Sequence, residues 1–141
     1  MVLCHGLSSC NAQAAVLVTG SEDGTVRVWS TAHLAAALRT PCSPIPSPLR
    51  IICPSKGVII PAMPASQLEC ARSAAPVCAV RLQGGGGWVV CAVGGATPVL
   101  VVWSLEASAP AVRVSLPCCP QAVALVPGEV LLVGTTPVLY R

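Results

Sequence analysis

The segment Ala15–Ser30, AVLVTGSEDGTVRVWS, limits this chain's choices more than any other. Ala15-Val16-Leu17-Val18-Thr19 and Thr25-Val26-Arg27-Val28-Trp29 are short runs rich in β-branched residues. Such side chains are stiff at χ1 and pack well on a pleated surface, so both runs predict strands. Ser21-Glu22-Asp23-Gly24 lies between them, and Asp-Gly between apolar runs is a strong hairpin signal. The segment therefore reads as an antiparallel hairpin, Ala15–Thr19 against Thr25–Trp29, with Trp near its end.

The same shape recurs. Ala92–Trp103 matches Val18–Trp29 in length, glycine position and terminal Trp, and a Ser follows each Trp. A third copy starts at Glu129, and its Thr136-Pro137-Val138-Leu139 repeats Thr97-Pro98-Val99-Leu100. Each copy has an apolar run upstream: Val2–Leu7, Val77–Leu82 and Ala122–Val126. A turn is expected after each run, at Ser8–Asn11, Gln83–Gly87 and Pro127-Gly128. Each unit is thus strand, turn, strand, turn, strand. A period near forty residues with four strands per unit is the pattern of a propeller blade.

On these residues the chain resembles the WD40 repeat family. Thr19-Gly20-Ser21-Glu22-Asp23-Gly24-Thr25-Val26-Arg27-Val28-Trp29-Ser30 follows the family pattern and departs only at Ser30, where Asp is usual. The copy ending at Trp103 is degenerate, because the turn aspartate is replaced near Thr97. The resemblance implies an all-β chain, an incomplete WD40-type β-propeller forming an open arc of about three to four antiparallel blades. It also implies a hydrogen-bonded network of turn Asp, strand Thr, third-strand Trp and a His from the preceding loop. Thr19, Asp23 and Trp29 fill three of those roles by match, and Trp103 is the counterpart of Trp29. The His position falls upstream of Val2, and His5 is not assigned to it.

The expected organisation is a WD40-like blade over residues 1–38, a degenerate one over 76–116 and a truncated one over 117–141. Residues 39–75 are either a proline-rich insertion or a degenerate blade. Pro41, Pro44, Pro46 and Pro48 exclude a central strand there, since proline lacks the ladder donor. Leu49–Cys53 and Val58–Ile60 around Pro54–Gly57 read as a hairpin. Ala32–Leu38 has an Ala run that would suit a short helical turn, but the family pattern expects a fourth strand.

Composition narrows function mainly by exclusion. Hydrophobic residues make up 54% and charged residues 9%, which is incompatible with disorder over the whole length. The eight basic residues against five acidic give +3, but no two basic residues are adjacent and no aromatics interleave them, so no nucleic-acid partner is predicted. Nine Cys is a high and odd count with no C-x-x-C pair. Most stand in apolar runs and read as small buried hydrophobes, in a reducing compartment. A small cysteine-rich redox or metal-binding protein is the alternative reading. The uncharged run Leu82–Leu105 is long enough to span a membrane, but its six Gly divide it into two Val-rich strands and a turn. No secretory leader is expected, because Met1–Ser21 carries no charge.

No catalytic residue, metal ligand, cofactor or small-molecule substrate is predicted. Glu22 and Asp23 are adjacent in a turn, whereas an acid/base pair must converge in a cleft. Gly84–Gly87 lacks the Gly-Lys-Ser/Thr of a phosphate loop. The expectation is a non-enzymatic protein–protein interaction scaffold, intracellular in cytoplasm or nucleus, with no membrane contact. Glu22, Arg27 and Arg81 are the candidate partner contacts, taken as loop-exposed. Closed propellers need roughly four to eight blades, so the chain is expected to be a fragment or to have its ring completed by a protein partner.

Overall fold

The computed structural model describes residues 9–11, 16–61, 75–82, 87–107, 109–126 and 130–135. Three antiparallel sheets follow one another along the chain. The first contains β1 (Ser9–Asn11), β2 (Val16–Gly20), β3 (Val26–Ser30), β4 (Arg50–Cys53) and β5 (Val58–Pro61), side by side in that order. The second contains β6 (Val77–Leu82), β7 (Trp88–Val93), β8 (Val99–Ser104) and β9 (Pro110–Ser115). The third pairs β10 (Pro120–Val126) with β11 (Val130–Thr135). The chain is all-β with a meander inside each sheet, an open propeller-like arc rather than a closed ring.

The central hairpin forms where the sequence places it, with Val18 opposite Val28 and Thr19 opposite Arg27. Two expectations are corrected. Ser9–Asn11 is not a turn but strand β1, paired with Val16–Val18. Residues 32–38 are not a fourth strand but belong to helix α1 (Thr31–Arg39). The reason lies at Ser30, where the family pattern has Asp. Its hydroxyl accepts from the His33 N–H at 3.3 Å and caps the helix, after which the Ala run sustains it. The helix stops at Thr40, because a residue preceding proline avoids the helical region. No residue of α1 is buried.

The fourth strand of the first sheet is β4, reached after α1 and an irregular strap over residues 40–49. Val26 pairs with Ile52 and Val28 with Arg50. The expected hairpin around Pro54–Gly57 is present as β4–β5, and it joins this first sheet. Leu82–Leu105 contains β7, β8 and the turn between them. Among the described residues no helix is long and apolar enough to cross a membrane. The proposed strand Val2–Leu7, most of the turn at 83–87, and Thr136–Tyr140 lie outside the described residues.

The sheets stack through two apolar layers. Val18, Val26, Val28 and Ile52 of the first sheet meet Val77, Val80, Leu82, Val89, Cys91, Val93, Val99, Val101 and Trp103 of the second. The opposite face of the second sheet, with Ala79, Val90, Ala92 and Leu100, packs on Val123 of β10. Both faces of the second sheet are therefore covered, which is why β7 and β8 are nearly unbroken apolar runs. A bulge between Val77 and Ala79 shifts β6 by one residue. That lets Val77 and Val80 point to the same layer although they stand three apart.

Candidate functional site: the first hairpin and its joint to the second sheet

Ser21 through Thr25 form the turn between β2 and β3. The Ser21 N–H donates to the Thr25 carbonyl at 3.0 Å and the Gly24 N–H to the Ser21 carbonyl at 3.1 Å. Gly24 sits at φ +79°, a conformation that side-chain-bearing residues resist. Asp23 organises the turn's polar groups. Its Oδ1 accepts from the Thr25 N–H at 3.0 Å and the Thr25 hydroxyl at 2.6 Å, and its Oδ2 accepts from Arg27 Nη2 at 2.7 Å. Partial burial pushes the Asp23 carboxyl's pKa up. The Thr25 hydroxyl and amide, the Ser21 hydroxyl and the Arg27 guanidinium outweigh that and hold it below the ordinary carboxylate range.

Trp29 belongs to a separate pair. Its indole N–H donates to the Thr19 hydroxyl at 2.9 Å. Trp29 stands opposite Leu17 in the ladder, so Thr19 is its diagonal neighbour on the same face. Among the described residues, Asp23 joins Thr25 and Arg27 rather than the Thr19–Trp29 pair. Trp103 is fully buried in the layer between the first two sheets, and its N–H donates to the Ala107 carbonyl at 3.4 Å. Trp29 and Trp103 share one polarity: each lies on the face turned away from the sheet that follows it in the chain.

The candidate contact residues are differently placed from one another. Glu22 is exposed in the β2–β3 turn. Arg27 and Arg81 are not in loops but in β3 and β6. The Arg27 side chain is 15% exposed and committed to Asp23. Arg81 is half-buried, with Nη1 donating to the Val80 carbonyl at 3.1 Å.

Sequence reasoning missed the residues that join the sheets. The Ser21 carbonyl accepts from the Val77 N–H at 3.0 Å, tying the first turn to the start of β6. Gly20 makes this approach feasible, since a Cβ there would stand 2.6 Å from Val77 Cγ1. Arg113 of β9 reaches the Pro54 and Ser55 carbonyls at 3.3 and 3.4 Å, a second tie across the same two sheets. Only the glycine in the hairpin motif carried a signal for either contact. Strand β9 itself forms an outer edge, with Val112 and Val114 48% and 46% exposed.

Among the described cysteines, Cys78 and Cys119 lie near enough for Cys119 to add to the burial that pushes the Cys78 thiol up. Cys53 and Cys91 are buried, Cys42 and Cys119 exposed, and burial pushes Cys91 up to about 12, where it is inert as a nucleophile. Among the described residues no three of His, Cys, Asp or Glu are grouped to hold a metal ion.

The fold is similar to that of a chain in the crystal structure of a mitotic checkpoint complex, with a TM-score of 0.57 and 17% identity. The match covers 91% of this chain and 31% of that one, so this chain spans about a third of its structural relative. At that identity the likeness establishes the fold alone. No family model matches the sequence, and no curated protein does.

Proposed function

We propose that the chain is a non-catalytic protein-interaction scaffold of the WD-repeat type, built of blade-like units at residues 9–61, 76–116 and from 117 onward. The observation that carries this reading is the stacking of successive antiparallel sheets through wholly apolar layers with one polarity. That arrangement holds the turns on a rigid support, where they can serve as docking loops. The shared polarity of Trp29 and Trp103 favours repeats of one kind over unrelated hairpins. Thr19, Asp23 and Trp29 then have structural roles, and so does Arg27, whose guanidinium is engaged by Asp23. Glu22 and Arg81 are the contact residues that this reading retains.

The fold neighbour belongs to a protein complex, which accords with a protein partner for this chain. The partner either contributes further blades to the arc or docks on its turns. Tagged full-length chain, cross-linked in cells and captured, is expected to bring down a defined partner whose cross-links map to the turns around Glu22 or to the β6 surface near Arg81. Glu22→Arg together with Arg81→Glu is expected to weaken that capture while leaving the circular dichroism spectrum unchanged. A soluble monomer that melts cooperatively and cross-links to nothing would overturn the reading.

A further inference from the structure

Six cysteines have described side chains, and the fold sorts them. Cys53 and Cys91 are buried, and the Cys91 thiol donates to the Val101 carbonyl at 3.6 Å. Cys42 is exposed and is the only cysteine of the strap between α1 and β4. Cys118 and Cys119 are adjacent in sequence, but consecutive Cα atoms stand about 3.8 Å apart, short of the ~4.4–6.8 Å that a disulfide usually spans. The pair that remains is Cys78 with Cys119.

These two meet on the β7–β8 turn. Cys78 is the extra residue of the β6 bulge: Val77 lies opposite Val93 and Ala79 opposite Ala92, so no residue of β7 is paired with it. Its sulfur abuts Gly94, where a Cβ would stand only 2.8 Å away, and its thiol donates to the Pro76 carbonyl at 3.7 Å. Cys119 lies in the short segment between β9 and β10 and is exposed. Its thiol donates to the carbonyl of Gly95, the very next residue of the turn, at 3.6 Å. The two sulfurs therefore rest on successive residues, and Cys119 adds to the burial that holds the Cys78 thiol protonated, with Gly94 opposing both. The turn is itself anchored on both sides. The Gly94 N–H donates to the Pro76 carbonyl and the Leu116 N–H to the Pro98 carbonyl, both at 2.8 Å. Each of these bonds fixes the chain just ahead of one of the two cysteines.

We propose that Cys78 and Cys119 form a reversible disulfide, with glutathione disulfide as the oxidant. The exposed Cys119 reacts first. Its thiolate attacks one sulfur of glutathione disulfide, a mixed disulfide forms, the glutathione S–S bond breaks and one glutathione leaves as thiolate. Cys78 then gives its proton to water and attacks the Cys119 sulfur. The Cys78–Cys119 bond forms, the bond from Cys119 to glutathione breaks and the second glutathione leaves. Two protein thiols are oxidised, one glutathione disulfide is reduced to two glutathiones, and their thiolates take up the two protons. Half-buried Cys78 suits the second step, which is intramolecular and needs no access for the oxidant. The bond ties the second sheet to the start of β10, beside the layer where Val123 packs. Excess reduced glutathione reverses both steps. The scaffold reading is not needed for this inference.

The test incubates the reduced full chain with glutathione disulfide at neutral pH, alkylates the remaining thiols and digests with trypsin without reduction. Cleavage after Arg72, Arg81 and Arg113 puts Cys78 in peptide 73–81 and Cys119 in peptide 114–141. The two peptides are expected as one linked species that excess reduced glutathione separates. Cys118→Ser is expected to keep the linkage and Cys119→Ser to lose it. Cys78→Ser is expected to lose it and to accumulate glutathione on Cys119, because no second thiol displaces it. All three variants are expected to keep the circular dichroism spectrum. Should a variant fail to fold, the linkage in the unaltered chain decides. An unaltered chain that retains glutathione on Cys119, stays unmodified, or links either cysteine to a different one overturns the proposal, and so does loss of the linkage in folded Cys118→Ser.

Discussion

In the β2–β3 hairpin the turn is built on a carboxylate, and Trp29, half-buried, meets a threonine hydroxyl. In the β7–β8 hairpin, whose sequence repeats the first 74 residues later, the corresponding residues are Thr97 for Asp23, Val93 for Thr19 and Val101 for Arg27. Trp103 there is fully buried and finds only a backbone carbonyl. The pairing differs as well. Val18 lies opposite Val28, but its counterpart Ala92 lies opposite Leu100, two residues short of the equivalent position. A slide of two residues leaves every side chain on its original face, whereas a slide of one would have turned the apolar set outward. The second hairpin has therefore lost its polar specification and kept its place through volume and parity alone. The first, facing sheet neighbours on one side only among the described residues, relies on directed polar contacts.

This contrast is most sharply tested at the two indoles. Trp103→Ala empties the layer between the sheets and is expected to destabilise the chain by about 3–5 kcal/mol in denaturant unfolding. Trp29→Ala is expected to lose clearly less; equal losses would break the comparison. Asp23→Ala removes the acceptor for Thr25 and Arg27 and strands Arg27, whose Nε is already buried without a partner. A loss of about 1–3 kcal/mol is expected, with Asp23→Asn intermediate. Thr19→Val keeps shape and deletes the Trp29 acceptor, for about 0.5–1.5 kcal/mol. If Thr19→Val is neutral while Trp29→Ala is not, the indole contributes by packing and not by its hydrogen bond.

The smallest effect expected is one of pH. The folded Asp23 carboxyl titrates below its unfolded value of about 3.9. Its contribution is therefore complete above the unfolded pKa and is lost as pH falls through the lower folded one. Stability of the native chain is expected to decline in that acid window, and the decline is expected to flatten in Asp23→Asn. An identical acid profile for both would remove Asp23 from the account.

Legibility from sequence follows the same division. The β2–β3 hairpin was readable because Asp-Gly and alternating Val are local rules, satisfied within a few residues. The Val-rich β7 and β8 were readable as strands covered on both faces, though not in their register, since Leu100 and Val102 are equally good partners for Ala92. Helix α1 was missed because Ser30 serves as a helix cap where the repeat pattern expects Asp, and the family expectation outweighed the Ala run. The joint between Ser21 and Val77 was invisible. It uses a carbonyl and an amide, which every residue has, and nothing in the sequence marks which pair will meet.

The insertion of α1 and the strap between β3 and β4 bears on how the chain reaches this structure. Strands β2 and β3 are neighbours across a tight turn and can pair on the microsecond scale of an isolated hairpin, about 1–10 μs. Strand β4 must first be brought back over a helix and a proline-rich segment, and the entropy of closing that excursion is lost before Ile51 and Ile52 are buried. The added closure entropy grows only slowly, about 0.6 kcal/mol per doubling of loop length. The first sheet is thus expected to assemble in two stages, a fast hairpin and a later docking of β4–β5, which stopped-flow folding would resolve as two phases. Any X-Pro bond in the strap that is cis in the unfolded chain would delay the second stage by tens of seconds and leave the first untouched.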